Sequence, residues 1–396
     1  IYTVLNTIIG GYYNTKYVGI GPYSKVISFN RLEGARFQIG ARTTKEFSRR
    51  VRLSTYLAYG TRDEDFKGAA EVELMLRRQL LRKLTVTYRN DAIQLSSGVS
   101  ALSENNILSS IFSRGGTSRL STIEEGIALY EHEWLHGSSF ELRGRHISSN
   151  RYVPMILPDG RSLHGINDAS IRIGLRLSKD ETIVRMPFEV RHMGSKYPIF
   201  SFDFTGAKRG VLPASYDYLR LEGRMQYRLN LPPIGYSQLM LEGGKIFGKV
   251  PYLLLKLHEG NGTYFYDRYA FSCMNFYEFS SDAWISFFYE HHFNGFLLGR
   301  VPLLKKLNWR EVFVFKGVYG TLSARNDGSL PNTKAVMLFP VGMSSVEHPY
   351  LETGFGIENI FRLLRVDCIW RLTHHRAVPG LSIPTFTVNF SLNLKF

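Results

Sequence analysis

A chain of 396 residues is too long for one ordinary soluble core, yet no composition break or linker divides it. Its formal charge of +15 and pI near 9.7 come without basic runs. The arginines alternate with apolar residues, which points away from nucleic acid and toward a lumen or anionic lipid head groups. Aromatic residues make up 14%, mean hydropathy is −0.13, and no apolar run approaches the ~18 residues of a membrane helix. Strands that are apolar on one side only fit those numbers.

Residues 1–16, apolar and then Tyr/Gly-rich, lack clean alternation and read as a lead-in segment. The chain starts at Ile1 with no Met and no signal peptide, as a mature or trimmed product would, with upstream sequence missing. A first strand ends over 25–30. In 33–42, Ala35, Phe37 and Ile39 face one way while Arg36, Gln38 and Arg42 face the other. The same pattern puts Arg52 on the wet face of 50–60. Strands 69–77 and 83–91 form a hairpin with Glu71, Glu73, Arg89 and Asp91 on that face.

After a loop near 92–118 come 123–133, 138–147 and a second loop at 148–167. Strand 170–177 carries Arg172 and Arg176, 182–192 alternates more weakly, and 200–205 carries Phe200, Phe202 and Phe204. In 217–230, Leu219, Leu221, Met225, Tyr227 and Leu229 oppose Arg220, Glu222, Arg224 and Arg228. Strands at 235–245, 265–277, 283–292, 309–321, 351–361, 364–373 and 384–396 follow; 364–373 holds Arg365, Asp367 and Arg371.

The last strand alternates Phe386, Val388, Phe390, Leu392 and Leu394 with polar residues and ends on Phe396, the residue expected to close a barrel. It is long enough to cross a bilayer when tilted, which takes roughly 9–11 residues. The expected fold is all-β: one transmembrane antiparallel β-barrel over 1–396, with eighteen strands, or sixteen as the alternative, since single-chain bacterial barrels have even counts. A soluble β-sandwich would offer a similar edge strand. With eighteen strands, the loops at 92–118, 148–167 and 322–350 lie outside, and the tight turns near 80–82 and 134–137 face the periplasm.

Gly248-Lys249-Val250-Pro251-Tyr252-Leu253-Leu254 recurs as Gly299-Arg300-Val301-Pro302-Leu303-Leu304, followed by Lys256 or by Lys305 and Lys306. Two intervening strands would place both copies on the periplasmic rim. Pro opening a Leu/Lys segment suits a short helix in the membrane interface; plain irregular loops are the other reading. His132-Glu133-Trp134-Leu135-His136 matches a zinc-protease motif literally, but on a strand its histidines stand roughly 13 Å apart, too far for one metal. Cys273 and Cys368 read as two buried or lipid-facing thiols, not a disulfide. No catalytic residue, metal or cofactor is expected. The wet-face charges suggest cross-strand ion pairs, either as an anion-favouring passage or as a salt-bridged wall.

Several stretches also resemble a known family: Glu33-Gly34 with Arg36, Gly40 and Arg42; Tyr56-Leu57-Ala58-Tyr59-Gly60-Thr61; Tyr88-Arg89-Asn90-Asp91; Gly243-Gly244-Lys245-Ile246-Phe247-Gly248; Tyr277 through Leu307; and Glu352-Thr353-Gly354-Phe355-Gly356. The family is that of Bacteroidota outer-membrane proteins in which a carboxypeptidase-regulatory-like domain precedes a barrel of unknown function. The resemblance implies an outer-membrane barrel without peptidase activity and supplies no catalytic residues. The Gly-Gly-Lys-Ile-Phe-Gly region is similar to BamA-type assembly barrels, whose Arg-Gly-Phe loop signature this sequence lacks. The expected role is an accessory subunit of an outer-membrane assembly or export complex, in contact with lipid, lipopolysaccharide and other outer-membrane or periplasmic proteins. A channel and a membrane-embedded enzyme are the alternatives.

Overall fold

The computed structural model describes residues 11–77, 81–95, 113–114, 119–133, 138–330, 333–376 and 382–392. The wall opens with β1 (Tyr13–Asn14), β2 (Val18–Ile20) and β3 (Ile27–Asn30). It continues through β4 (Gly34–Thr43), β5 (Val51–Gly60), β6 (Phe66–Arg77), β7 (Arg82–Ile93), β8 (Ser121–His132), β9 (Ser138–Ser148) and β10 (Gly165–Leu177). A separate hairpin, β11 (Ile183–Arg185) and β12 (Val190–His192), interrupts it. The wall resumes with β13 (Ile199–Ala207), β14 (Tyr218–Asn230) and β15 (Tyr236–Gly248).

Two short strands, β16 (Lys256–Leu257) and β17 (Phe279–Ser281), precede β18 (Ala283–His292) and β19 (Arg310–Thr321). They form a small sheet with β20 (Ser344–Ser345). The wall ends with β21 (Tyr350–Ile360), β22 (Leu364–Arg371) and β23 (Phe386–Leu392). Eighteen strands make one sheet, and every ladder in it is antiparallel.

The eighteen are not quite the expected set. Residues 13–14 contribute a strand inside the expected lead-in segment, and β2 and β3 are successive pieces along one edge of β4. Residues 182–192 are not a wall strand but the small β11–β12 hairpin, because Met186–Glu189 turns the chain back after three residues. Residues 265–277 are not a strand either: they run irregularly through the interior, where Phe271, Cys273 and Met274 are fully buried. Phe396 lies outside the described residues.

Strand alternation decides which face meets what. On β4, Arg36 is buried while Phe37 and Ile39 are exposed; on β18, Glu290 is buried and Ile285 exposed. Strand directions put the connections 149–164, 208–217, 249–282 and 322–349 on one rim, here the loop rim. They put 44–50, 231–235, 293–309 and 361–363 on the other, the turn rim. Tight turns there need special backbone: Gly235 has φ +103, and a Cβ on it would meet the His292 carbonyl oxygen at 1.8 Å.

The two copies of the Gly–basic–Val–Pro repeat therefore sit on opposite rims, since one strand, β18, separates them instead of two. Pro251, Leu253, Leu254 and Lys256 are not interfacial. All four are buried, Leu253 and Leu254 in the apolar cluster that also takes in Ile123 and Ile147 of the wall. Pro302, Leu303, Leu304 and Lys305 form a short helix on the turn rim, followed by Lys306.

Candidate functional site

The interior is occupied by residues 249–282. Val250, Tyr252, Leu253, Leu254, Leu255 and Leu257 pack against Ile123, Ile147, Met155 and Ile166 of the wall and its loop. Deeper, Phe271, Met274 and Phe279 pack against Met240, Phe288, Val318 and Tyr350. Each large apolar side chain taken fully from water adds ~1.5–3 kcal/mol. The sequence signal for this segment is apolar residues at both strand parities, Phe265 beside Tyr266 and Phe276 beside Tyr277, where a lipid-facing strand would be greasy on one side only.

Charged groups pin the segment to the wall. Lys316 of β19 donates to the carbonyls of Asp267 (2.7 Å) and Ala270 (2.6 Å). Glu352 of β21 accepts the backbone N–H groups of Ser272 (2.8 Å) and Cys273 (2.6 Å) and the Tyr350 hydroxyl (2.7 Å). Arg371 of β22 pairs with Glu278 at 2.6 Å. Lys256 reaches back to Glu242 of β15 at 2.6 Å and to Glu259. Glu290 of β18 accepts from Arg268 (2.8 Å), from Tyr266 and from Arg365 (3.3 Å), and Arg365 also pairs with Asp367 at 2.8 Å. The Tyr264–Tyr266 backbone pairs in parallel with Phe390 on the edge of β23 away from β22, through two hydrogen bonds of 2.7 Å.

A second network lies on β4–β7. Arg36, fully buried, reaches Glu33 (2.7 Å) and Asp91 (2.6 Å), and Tyr56 donates to Asp91. Lys67 pairs with Glu33 at 3.2 Å and with Asp63. Arg52 pairs with Glu73, Glu71 accepts from Thr87 at 3.2 Å, and Arg89 pairs with Glu125. Arg42 and Arg228 have aromatic partners instead: their guanidinium groups lie 3.6 Å from the Tyr12 ring and 4.0 Å from the Tyr236 ring.

Between the inward segment and β9–β15 a cavity of about 260 Å³ remains. Five arginines line it (Arg143, Arg145, Arg172, Arg220, Arg224), matched by Glu141, Asp168, Asp203, Glu222 and Glu242. They pair off: Arg172–Asp203 at 2.8 Å, Arg220–Glu222 at 2.7 Å and Arg224–Glu242 at 2.6 Å. A neighbouring cavity of about 280 Å³, sharing Arg172, Asp203 and Arg224, extends to the turn rim, with Arg176 paired to Glu181 at 2.6 Å on its wall.

The β11–β12 hairpin folds beneath that second cavity. Phe188 is buried under the Arg52 guanidinium, and Arg185 clamps Glu133 with two hydrogen bonds of 2.6 Å. Of the zinc-protease-like motif, Glu133 is therefore spent on Arg185, His132 accepts or shares the Arg82 Nε–H at 3.2 Å, and His136 lies outside the described residues. Cys273 is buried in the inward segment and Cys368 sits on β22; both are free thiols. Among the described residues no group of three or more His, Cys, Asp or Glu is placed to hold a metal ion.

Arg185 holds the Glu133 carboxyl below the ordinary carboxylate range. A depressed folded value means the latch is at full strength above that range and weakens as pH falls through it. At neutral pH, Arg185→Ala should free the hairpin. Allowing for solvent screening, a loss of about 1 kcal/mol corresponds to about five-fold faster limited proteolysis within 183–192, read by peptide mapping.

Residues 137–324 match a family described as "Family of unknown function (DUF5686) C-terminal domain". In fold the chain is similar to the crystal structure of BamA from Haemophilus ducreyi lacking POTRA domains 1-3, with a TM-score of 0.54 at 9% identity over 95% of this chain and 70% of that one. The crystal structure of Pseudomonas aeruginosa OccK11 (OpdR) aligns with a TM-score of 0.33 at 13% identity, over 90% of this chain and 87% of that one. No curated protein matches the chain in sequence. The alternating eighteen-stranded wall and the likeness to the BamA barrel agree on the fold. The chain is a β-barrel membrane protein.

Proposed function

We propose that this barrel resides in the outer membrane of a Gram-negative bacterium and acts there as a non-enzymatic accessory subunit of a protein-assembly or export complex. We further propose that it belongs to the Bacteroidota family whose barrels follow a carboxypeptidase-regulatory-like domain. The observation that carries the accessory role is the filled interior: residues 249–282 are bonded to β15, β18, β19, β21, β22 and β23, and a hairpin lies under the space that is left. A solute passage gains nothing from an apolar filling of Leu and Phe. An anion-favouring channel is the alternative reading, but the larger arginine cluster is matched one for one by carboxylates.

The experiment is extraction in mild detergent from the native membrane, with native mass spectrometry and planar-bilayer recording on the same material. The expected result is a complex of fixed stoichiometry with other outer-membrane or periplasmic proteins and no steady conductance. A chain that always purifies alone and gives a steady open pore would overturn the accessory reading in favour of a channel.

A further inference from the structure

Most arginines of the lumen are ion-paired, and part of the uncompensated positive charge is concentrated on the turn rim. The connection 293–309 contains Arg300, Lys305 and Lys306 and no Asp or Glu. Arg362 adds a fourth cation from the turn 361–363, and among the described residues none of the four is in an ion pair. The two connections are tied together by the Asn359 amide, which donates to the Asn308 carbonyl at 2.7 Å. On the loop rim, by contrast, the connection 322–349 balances Arg325 and Lys334 with Asp327 and Glu347.

Apolar side chains stand exposed among those cations: Phe361 at 88%, Leu297 at 51%, Leu307 at 47% and Val301 at 44%. Immediately above them the outer wall carries a band of rings, Tyr289 against Phe313 at 6.4 Å and Phe313 against Phe355 at 5.3 Å. Arg300 lies 4.0 Å over the Phe296 ring, which holds its charge at the level of the apolar residues and not out in water. Rings, exposed aliphatic side chains and cations thus occur together at one rim, the combination that takes up a bilayer's hydrocarbon edge and its phosphates.

The geometry points to a binding surface for anionic glycerophospholipid head groups of the turn-rim leaflet, formed by Arg300, Lys305, Lys306 and Arg362. It rests on the membrane-barrel reading. The continuity of Phe361 and Leu307 with the lipid-facing wall selects a lipid over an acidic protein surface, which would leave those side chains in water.

The test reconstitutes the whole chain in nanodiscs of phosphatidylcholine with a minority of phosphatidylglycerol and measures lipids retained after gentle extraction by native mass spectrometry. Wild type should retain phosphatidylglycerol above its share. The R300Q/K305Q/K306Q/R362Q variant should lose at least about five-fold of that enrichment, the weight of a single basic residue near an anionic surface, and the wild-type enrichment should shrink with salt. K208Q/R209Q, on the loop rim, should leave it unchanged. A quadruple variant that keeps its heat-modifiable mobility on gels and retains phosphatidylglycerol as wild type does would overturn the proposal. So would an equal loss of retained lipid A from discs containing it, which would mean unspecific charge attraction. Failure of wild type to enter discs would instead overturn the barrel reading beneath it.

Discussion

Replacing residues 249–279 by a short Gly/Asn hairpin loop should turn a silent barrel into one with a steady conductance in planar bilayers. The cut is compatible with the wall because Lys245 already pairs with Ala283, so β15 and β18 need only a tight connection between them. What leaves is the apolar filling around Leu253, Leu254 and Phe271, and what stays is a wall lined by Lys316, Glu352, Glu242, Arg371 and Glu290. Those groups lose partners but gain water, so their exposure costs far less than it would in a dry interior. An antiparallel wall of sixteen to eighteen strands has room for an aqueous channel once nothing fills it.

Glu352→Gln offers a milder version. It weakens the anchor at Ser272 and Cys273 while keeping the shape, and should give brief, flickering openings in place of a steady level. A deletion variant that retains heat-modifiable mobility and remains electrically silent would show that the wall itself is constricted, and the inward segment would lose its role as the seal.

The alternation that exposes Phe37 and buries Arg36 is written in the sequence two residues at a time, and so are the wet faces of β5 to β7, β10, β14 and β22. Those periodicities report a local fact, one side in lipid and the other not. The inward segment defeats the same logic because both of its sides are buried. Phe271 and Met274 then need no polar counterpart, and the stretch reads as one more strand. Rim assignment counts strands, so reading 182–192 and 265–277 both as wall strands puts Pro251 through Lys256 on the wrong rim while leaving 293–309 on the right one. Partner choice is equally hidden: Arg36 is visibly on the wet face, but nothing local tells that it meets Asp91, 55 residues away, with Glu33 from the preceding turn. Glu290 and Lys316 escape notice because Phe287, Phe288 and Tyr289, or Phe315 and Gly317, mask the alternation around them.

Arg365→Met should be the most damaging single substitution in the wall, costing about 3–5 kcal/mol in urea unfolding of the lipid-reconstituted protein. The guanidinium lies between Glu290 and Asp367, at 3.3 and 2.8 Å, and the three side chains are 3%, 1% and 0% exposed. Methionine fills most of the volume, so the loss is not a cavity effect. It comes from leaving two carboxylates buried with too little positive charge: Glu290 keeps Arg268 and the nearby His292, whereas Asp367 loses its ion-pair partner among the described residues. Arg36→Met should cost less, because Lys67 still neutralises Glu33. The electrostatic origin is separable by a double-mutant cycle. If charge is the cause, adding Asp367→Asn to Arg365→Met should recover a substantial part of the loss, so that the two changes are strongly non-additive. Strict additivity would instead mean that Arg365 acts through packing against the Tyr266 ring, 4.4 Å from its guanidinium, and Arg365→Lys, which keeps the charge but not the flat stacking group, would then be as harmful as Arg365→Met.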